Sequence, residues 1–159
     1  MKHARIRHHG QIVNVQVDDQ LRVTLPNGEV LQEREVEWLP PAQGTVFALG
    51  LNYADHASEL EFKAPEEPLV FLKAPNTLTG HRQVSVRPAG VEYMHYEAEL
   101  VAVIGKTARN VSRERAMEYV AGYTLCNDYA IRDYLENYYR PNLRVKSRDT
   151  LTPIGPYIV

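Results

Sequence analysis

The sequence predicts a β-rich α+β chain, with a small β module over residues 1–42 followed by a larger β-rich unit over 43–159. Three observations carry that expectation. Apolar residues alternate through Ile12, Val13, Val15 and Val17 and again through Leu21, Val23 and Leu25, the period of half-buried strands. Two further apolar runs, 97–104 and 123–126, are too short for anything but strands. Helical patterning is confined to two brief segments, 113–119 and 131–138.

In the N-terminal module, Pro26-Asn-Gly-Glu29 supplies a turn in which Asn27-Gly28 tolerates positive φ, and Val30-Leu31 starts the return strand. His3, His8 and His9 read as surface histidines in a basic setting, and Trp38 reads as a packing residue. Pro40-Pro41 interrupts regular structure by removing donors and restricting neighbours, and marks the module boundary. The run 45–51 reads as a buried strand, and Leu69-Val-Phe-Leu72 as one short strand in a proline-rich crossing. Ser112 offers an N-cap for a helix whose inner side is Ala116, Met117 and Val120, with Gly122 as its stop. Arg144, Lys146 and Arg148 alternate as on a strand, three cations on one face.

The chemistry concentrates in Tyr96-Glu-Ala-Glu-Leu-Val-Ala-Val-Ile-Gly105 and Cys126-Asn-Asp-Tyr129. On a strand, Glu97 and Glu99 share one face about 6.6 Å apart, and the apolar residues on both faces predict that the strand is buried. A buried acid pair needs a positive partner. A hard divalent cation is one such partner, with Asp128 as a third oxygen ligand; a solvated acidic strand entrance is the plain alternative. In helical conformation, His56 and Glu59, three residues apart, would face one side and could exchange protons near neutral pH, although a structural role on an exposed face is the plain alternative. Lys73, after the 69–72 strand, is by default a surface charge. Tyr134, Tyr138 and Tyr139 are either packing residues or a substrate-facing rim.

The net charge of −2 and scattered cations argue against nucleic acid. The single Cys126 fits a reducing compartment, no apolar run is long enough to span a bilayer, and the chain reads as cytoplasmic.

Four motifs occur in an order that resembles the fumarylacetoacetate hydrolase superfamily over residues 45–159. They are Gly50-Leu-Asn52-Tyr53-Ala-Asp-His56-Ala-Ser-Glu59, then Phe71-Leu-Lys73-Ala-Pro75, then Glu97-Ala-Glu99-Leu-Val-Ala-Val-Ile-Gly105-Lys106, and finally Asn127-Asp128 with Arg132-Asp133 and Lys146-Ser-Arg-Asp149. The resemblance implies a mixed β-sandwich roll and a homodimer. It also implies metal ligation by Glu97, Glu99 and Asp128, with Mg²⁺ or alternatively Mn²⁺. His56 and Glu59 match the proton-transfer dyad on a lid, and Lys146 matches the lysine facing a developing enolate. Arg132, Tyr139 and Lys73 are the candidate substrate contacts, with Arg140, Arg144 and Arg148 as further cations for a remote carboxylate.

Leu49 stands where the hydrolases proper carry an additional metal-binding Asp, which turns the expectation toward the decarboxylase and isomerase members. The implied activity is decarboxylation of 5-oxopent-3-ene-1,2,5-tricarboxylate and isomerisation of 2-hydroxyhepta-2,4-diene-1,7-dioate. More broadly, the implied substrate is a 2-oxo or 2-hydroxy di- or tricarboxylate. An acylpyruvate hydrolase, an oxaloacetate decarboxylase or a noncatalytic metal-binding module are the alternatives. Family members continue past the position matching Val159, so the chain is expected to be the first part of a longer, here truncated, domain.

Overall fold

The N-terminal strands pair as their alternation demands. In the computed structural model, which describes residues 1–53, 66–135 and 143–159, β1 (Lys2–His8) and β2 (Gln11–Val17) form an antiparallel hairpin. Its two-residue loop has His9 at φ 48° and Gly10 at φ 77°, the left-handed pair that matches the twist of the flanking strands. β3 (Val23–Thr24) and β4 (Val30–Leu31) extend one side, closed by the Pro26–Glu29 turn in which the Gly28 N–H donates to the Leu25 carbonyl at 2.9 Å. β5 (Glu37–Leu39) adds to the other side, giving the order β4-β3-β2-β1-β5.

The inward residues Ala4, Ile6, Val15, Val17, Val23, Leu25, Leu31 and Trp38 form one core. Trp38 is buried and donates its indole N–H to the Glu33 carbonyl at 2.9 Å, leaving no polar atom of the ring unsatisfied. His3 and His9 are exposed and His8 half-buried.

Beyond residue 42 the strands are β6 (Val46–Gly50), β7 (Leu69–Lys73), β8 (Leu78–Thr79), β9 (Met94–His95), β10 (Ala98–Ile104), β11 (Val120–Asn127), β12 (Ala130–Ile131) and β13 (Thr152–Gly155). β6 pairs with β7 and β9 with β12, while β10-β11-β13-β8 form a four-stranded mixed sheet whose β13–β8 contact is parallel. A second small core gathers Val91, Ile131 and Leu151. Several contacts tie the N-terminal sheet to this part, among them two at the backbone. His3 and Ile158 exchange backbone hydrogen bonds of 3.0 and 2.8 Å, and Gly80 lies so close to the chain at Trp38 that a β-carbon would stand 2.0 Å from the Trp38 carbonyl oxygen. No helix among the described residues is long and apolar enough to cross a membrane.

Several expectations are corrected. The strand expected over 97–103 runs Ala98–Ile104 and is half-buried on one face and open on the other: Leu100 and Leu125, paired across β10 and β11, are each 63% exposed. β6 is likewise open on one face, where Phe47 and Leu49 meet Leu72 and Val70 in register and all four are exposed. Residues Arg113–Tyr119 form a 3₁₀ helix that buries none of its residues, Met117 included. Its charged residues leave no apolar stripe to bury, and three residues per turn align Arg115 with Glu118, which pair at 3.0 Å. Gly122 does not end that helix but lies within β11, pressed against the carbonyl oxygen of Val159.

Arg144 and Lys146 are not on a strand, because Leu143–Lys146 is a single helical turn. The segment expected as helix from 131 begins as the 3₁₀ turn Arg132–Tyr134 and passes at 136 outside the described residues.

Candidate active site

The antiparallel register of β10 and β11 places Ala98 opposite Asn127, so the residues just outside that pair, Glu97 and Asp128, meet across the strand ends. The Asp128 N–H donates to the Glu97 carbonyl at 2.8 Å, and the Glu97 N–H donates to Asn127 Oδ1 at 2.9 Å. Two carboxylates are thereby fixed side by side through their own backbones.

Three cations converge on them. Lys73, the last residue of β7, is 2% exposed and gives its ammonium to Asp128 Oδ1, with a longer contact of 3.4 Å to the Leu151 carbonyl. Lys146, from the helical turn, donates to Glu97 Oε2 at 2.5 Å, to Asp128 Oδ2 at 2.9 Å and to the Asp128 carbonyl at 3.1 Å. Arg132 reaches Glu97 Oε1 at 3.4 Å, and its buried Nε has no partner among the described residues. The default surface role for Lys73 is therefore corrected. As a candidate substrate contact, its polar partners in this arrangement are protein atoms.

Burial sets the electrostatics. It pulls the Lys73 ammonium below the usual lysine range despite the opposing pull of Asp128. Glu99 is pushed above the usual carboxylate range by burial, and the negative charges of Asp128 and Glu97 push the same way, against a hydrogen bond from Tyr53. The Cys126 thiol, opposite Glu99 in register, is pushed up to about 12 by burial and by Asp128.

The structure thus brings together Glu97, Glu99, Asp128, Lys146, Arg132 and Lys73. His56, Glu59, Tyr139 and Arg140 lie outside the described residues. Arg144 and Arg148 stand apart, over the Tyr134 ring at 3.7 and 5.9 Å.

Sequence reasoning missed Tyr53 as a partner of Glu99, Asn127 as the brace of Glu97, and Phe71, whose ring centroid lies 5.7 Å from the Lys146 ammonium. It also missed Ser147, whose hydroxyl accepts from the Ala74 N–H at 3.2 Å and ties the Lys146 turn to the end of β7. Phe71 had a readable signal, since it shares a strand face with Lys73 at i and i+2.

The donor set suits a hard divalent cation, because Glu97 and Asp128 stand side by side, their negative charges reach Glu99, and Glu99 carries its charge at a cost that such an ion would relieve. Among the described residues no three acidic, histidine or cysteine side chains already form a ligand cage. The Lys146 ammonium stands between Glu97 and Asp128 instead.

Fold and site together define a β-rich domain built around a carboxylate cluster charge-matched by lysine and arginine. The family profile described as fumarylacetoacetate (FAA) hydrolase C-terminal matches residues 45–159. The chain belongs to the fumarylacetoacetate hydrolase family.

It is 76% identical to a 4-hydroxyphenylacetate degradation bifunctional isomerase/decarboxylase of Salmonella dublin, over 82% of this chain and 30% of that protein. It is 68% identical to a bifunctional isomerase/decarboxylase of Escherichia coli carrying the same description, over 92% of this chain and 37% of the relative. A crystal structure of 5-carboxymethyl-2-hydroxymuconate delta-isomerase from Mycobacterium smegmatis superposes with a TM-score of 0.84 at 32% identity, covering 100% of this chain and 66% of that one. The chain therefore spans about a third of the length of these curated relatives.

Proposed function

We propose that this chain carries the carboxylate and lysine part of a site that decarboxylates 5-oxopent-3-ene-1,2,5-tricarboxylate and isomerises 2-hydroxyhepta-2,4-diene-1,7-dioate in 4-hydroxyphenylacetate breakdown. One observation carries the reading. In a chain 76% identical to a bifunctional isomerase/decarboxylase, Lys146 bridges Glu97 and Asp128, and the negative charges of both reach the half-buried Glu99.

Glu97, Glu99 and Asp128 would hold Mg²⁺, with Mn²⁺ as the alternative, and the bound ion would supply Lewis-acid polarisation of a 2-oxo acid through its carboxylate and keto oxygens. Charge matching supports a need for such an ion. Glu97 and Asp128 are ion-paired with Lys73, Lys146 and Arg132, and with Glu99 beside them the formal charges cancel, so these side chains offer a multiply anionic substrate no net attraction.

Each residue then has a distinct task. Lys73, enclosed behind Asp128, fixes the orientation of that carboxylate. Lys146 donates to the substrate oxygen that gains negative charge as the carbon–carbon bond to the departing carboxylate breaks and its electron pair moves into the conjugated chain. Arg132 receives a remote carboxylate, and Tyr139 contributes to the substrate's rim. His56 and Glu59 return a proton to carbon after carbon dioxide leaves, and in the isomerisation they take a proton from one position and deliver it to another without net change. One dyad thus serves both reactions.

The test is carbon dioxide release from 5-oxopent-3-ene-1,2,5-tricarboxylate with Mg²⁺ present and then with the ion chelated. Release that depends on the ion and falls by at least about a hundredfold in Glu97→Ala is expected. Full metal-dependent turnover in Glu97→Ala would overturn the ligand assignment.

A further inference from the structure

Lys146 occupies the place that the proposed cation needs. Its Nζ is 2.5 Å from Glu97 Oε2 and 2.9 Å from Asp128 Oδ2, so one ammonium bridges both carboxylates. The third contact, 3.1 Å to the Asp128 carbonyl, seats it at the end of β11. With its side chain 8% exposed, this is a buried bridge rather than a surface ion pair.

Lys73 touches the same Asp128 from the other direction. It takes Oδ1 rather than Oδ2, its side chain is 1% exposed, and its second contact is the Leu151 carbonyl. The two lysines therefore divide the carboxylate, one oxygen each.

A Mg²⁺ ion binds carboxylate oxygens at about 2.0–2.1 Å. An ion using Glu97 Oε2 and Asp128 Oδ2 would thus stand within roughly 4 Å of an ammonium still donating to those oxygens, at a distance where cations repel strongly out of water. The two therefore compete for the same carboxylate oxygens. Lys73, on the far oxygen and enclosed, has no need to move and no room to do so.

We propose that Lys146 is the resident counter-ion of the Glu97–Asp128 pair, displaced when the divalent cation binds, and that only the displaced ammonium is free to meet the substrate. This rests on the reading that Glu97, Glu99 and Asp128 hold the metal. The displaced ammonium stays near the cluster, where the Phe71 ring, 5.7 Å from it, offers a face that tolerates a cation.

Two consequences follow from that exchange. Without metal, the carboxylate pair keeps a positive partner, so the strand ends do not depend on the ion for charge balance. Substrate capture by Lys146 becomes ordered behind metal binding, because the same ammonium cannot serve the carboxylates and the substrate at once.

Calorimetric titration of the chain with MgCl₂ tests the exchange, alone and as Lys146→Met, alongside NMR of protein labelled at the lysine ε-carbons. Loss of the competing ammonium is expected to tighten Mg²⁺ binding at least about tenfold. In the unmodified chain the Lys146 signal is expected to shift with the midpoint of the heat titration while the Lys73 signal stays in place. Unchanged or weaker binding in a folded Lys146→Met, or a Lys146 signal unmoved at saturating Mg²⁺, overturns the proposal. If Lys146→Met does not fold, the NMR titration decides by itself.

Glu97→Gln separates this inference from the reading beneath it. Binding that is lost in Glu97→Gln but indifferent to Lys146→Met leaves the metal site standing and removes the exchange. A folded, unmodified chain that binds no Mg²⁺ removes both.

Discussion

Replacing Lys73 by Met tests whether the buried cation holds the site together. Methionine nearly matches the lysine stem in length and volume, so the substitution removes charge without opening a cavity. What it leaves behind is Asp128 Oδ1 without its partner in a setting where the carboxylate side chain is only 9% exposed. Removing one partner of a buried ion pair costs about 3–5 kcal/mol.

Two features lower that figure. Asp128 keeps Lys146 on its other oxygen at 2.9 Å, and the depressed pKa of Lys73 means that its own burial already costs folding energy, which the methionine recovers. The expected loss is therefore about 2–4 kcal/mol, or about 5–15 °C in Tm for a chain of this size. Thermal and urea unfolding followed by far-UV circular dichroism at pH 7 read it directly. The double variant Lys73→Met/Asp128→Asn should recover at least about 1 kcal/mol relative to the sum of the single losses, because both charges then leave together. A loss below about 1 kcal/mol in the single variant, or strict additivity in the double, would refute the buried-pair account.

The remaining predictions concern other parts of the molecule. Gly80→Ala should destabilise by about 3 kcal/mol in the same unfolding assays, because its β-carbon would stand 2.0 Å from the Trp38 carbonyl oxygen and the backbone must give way; a neutral effect would place the 80–83 turn elsewhere. Glu33 receives hydrogen bonds from His81 and Arg82, each at 2.9 Å, which hold its carboxyl below the usual range. A depressed carboxyl contributes stability above its unfolded pKa and loses it as pH falls through the folded one. Tm should thus fall on acidification below about pH 4.5, less steeply in Glu33→Gln, and parallel profiles for the two proteins would contradict this. With the Cys126 thiol pushed up to about 12, native protein at pH 8 should react with iodoacetamide at least about a hundredfold more slowly than urea-unfolded protein; equal rates would show that the thiol is neither enclosed nor beside a carboxylate.

Periodicity was enough to locate β2, β3 and β4, because Val15, Val17, Val23 and Leu31 need one shared apolar side and a strand period of two provides it; β1 and β5, where His3, His8 and His9 or a lone Trp38 masked the pattern, were delivered only by the pairing of Lys2–His8 with β2 and with Glu37–Leu39. The motifs 50–59, 71–75, 97–106 and 127–149 were enough to place the chain in its family, since four short patterns in one order rarely arise by chance. The acids Glu97 and Glu99 were legible as a pair needing positive charge for the same local reason: spacing along a strand fixes the face.

The identity of that positive charge was not legible. Lys73 and Lys146 are 73 residues apart in sequence, and each lies far along the chain from one or both carboxylates it serves. Only the docking of β7 and the Leu143–Lys146 turn against the ends of β10 and β11 delivers them. The same applies to the alternation of Arg144, Lys146 and Arg148, which reads as a strand until Val145 and Lys146 are turned inward by a helical turn whose stability comes from its neighbours. Local sequence determined which residues carry charge and which strand face they share. Tertiary packing decided which opposite charges meet, because a buried ion is stabilised only by the partners that the fold brings within a few ångströms.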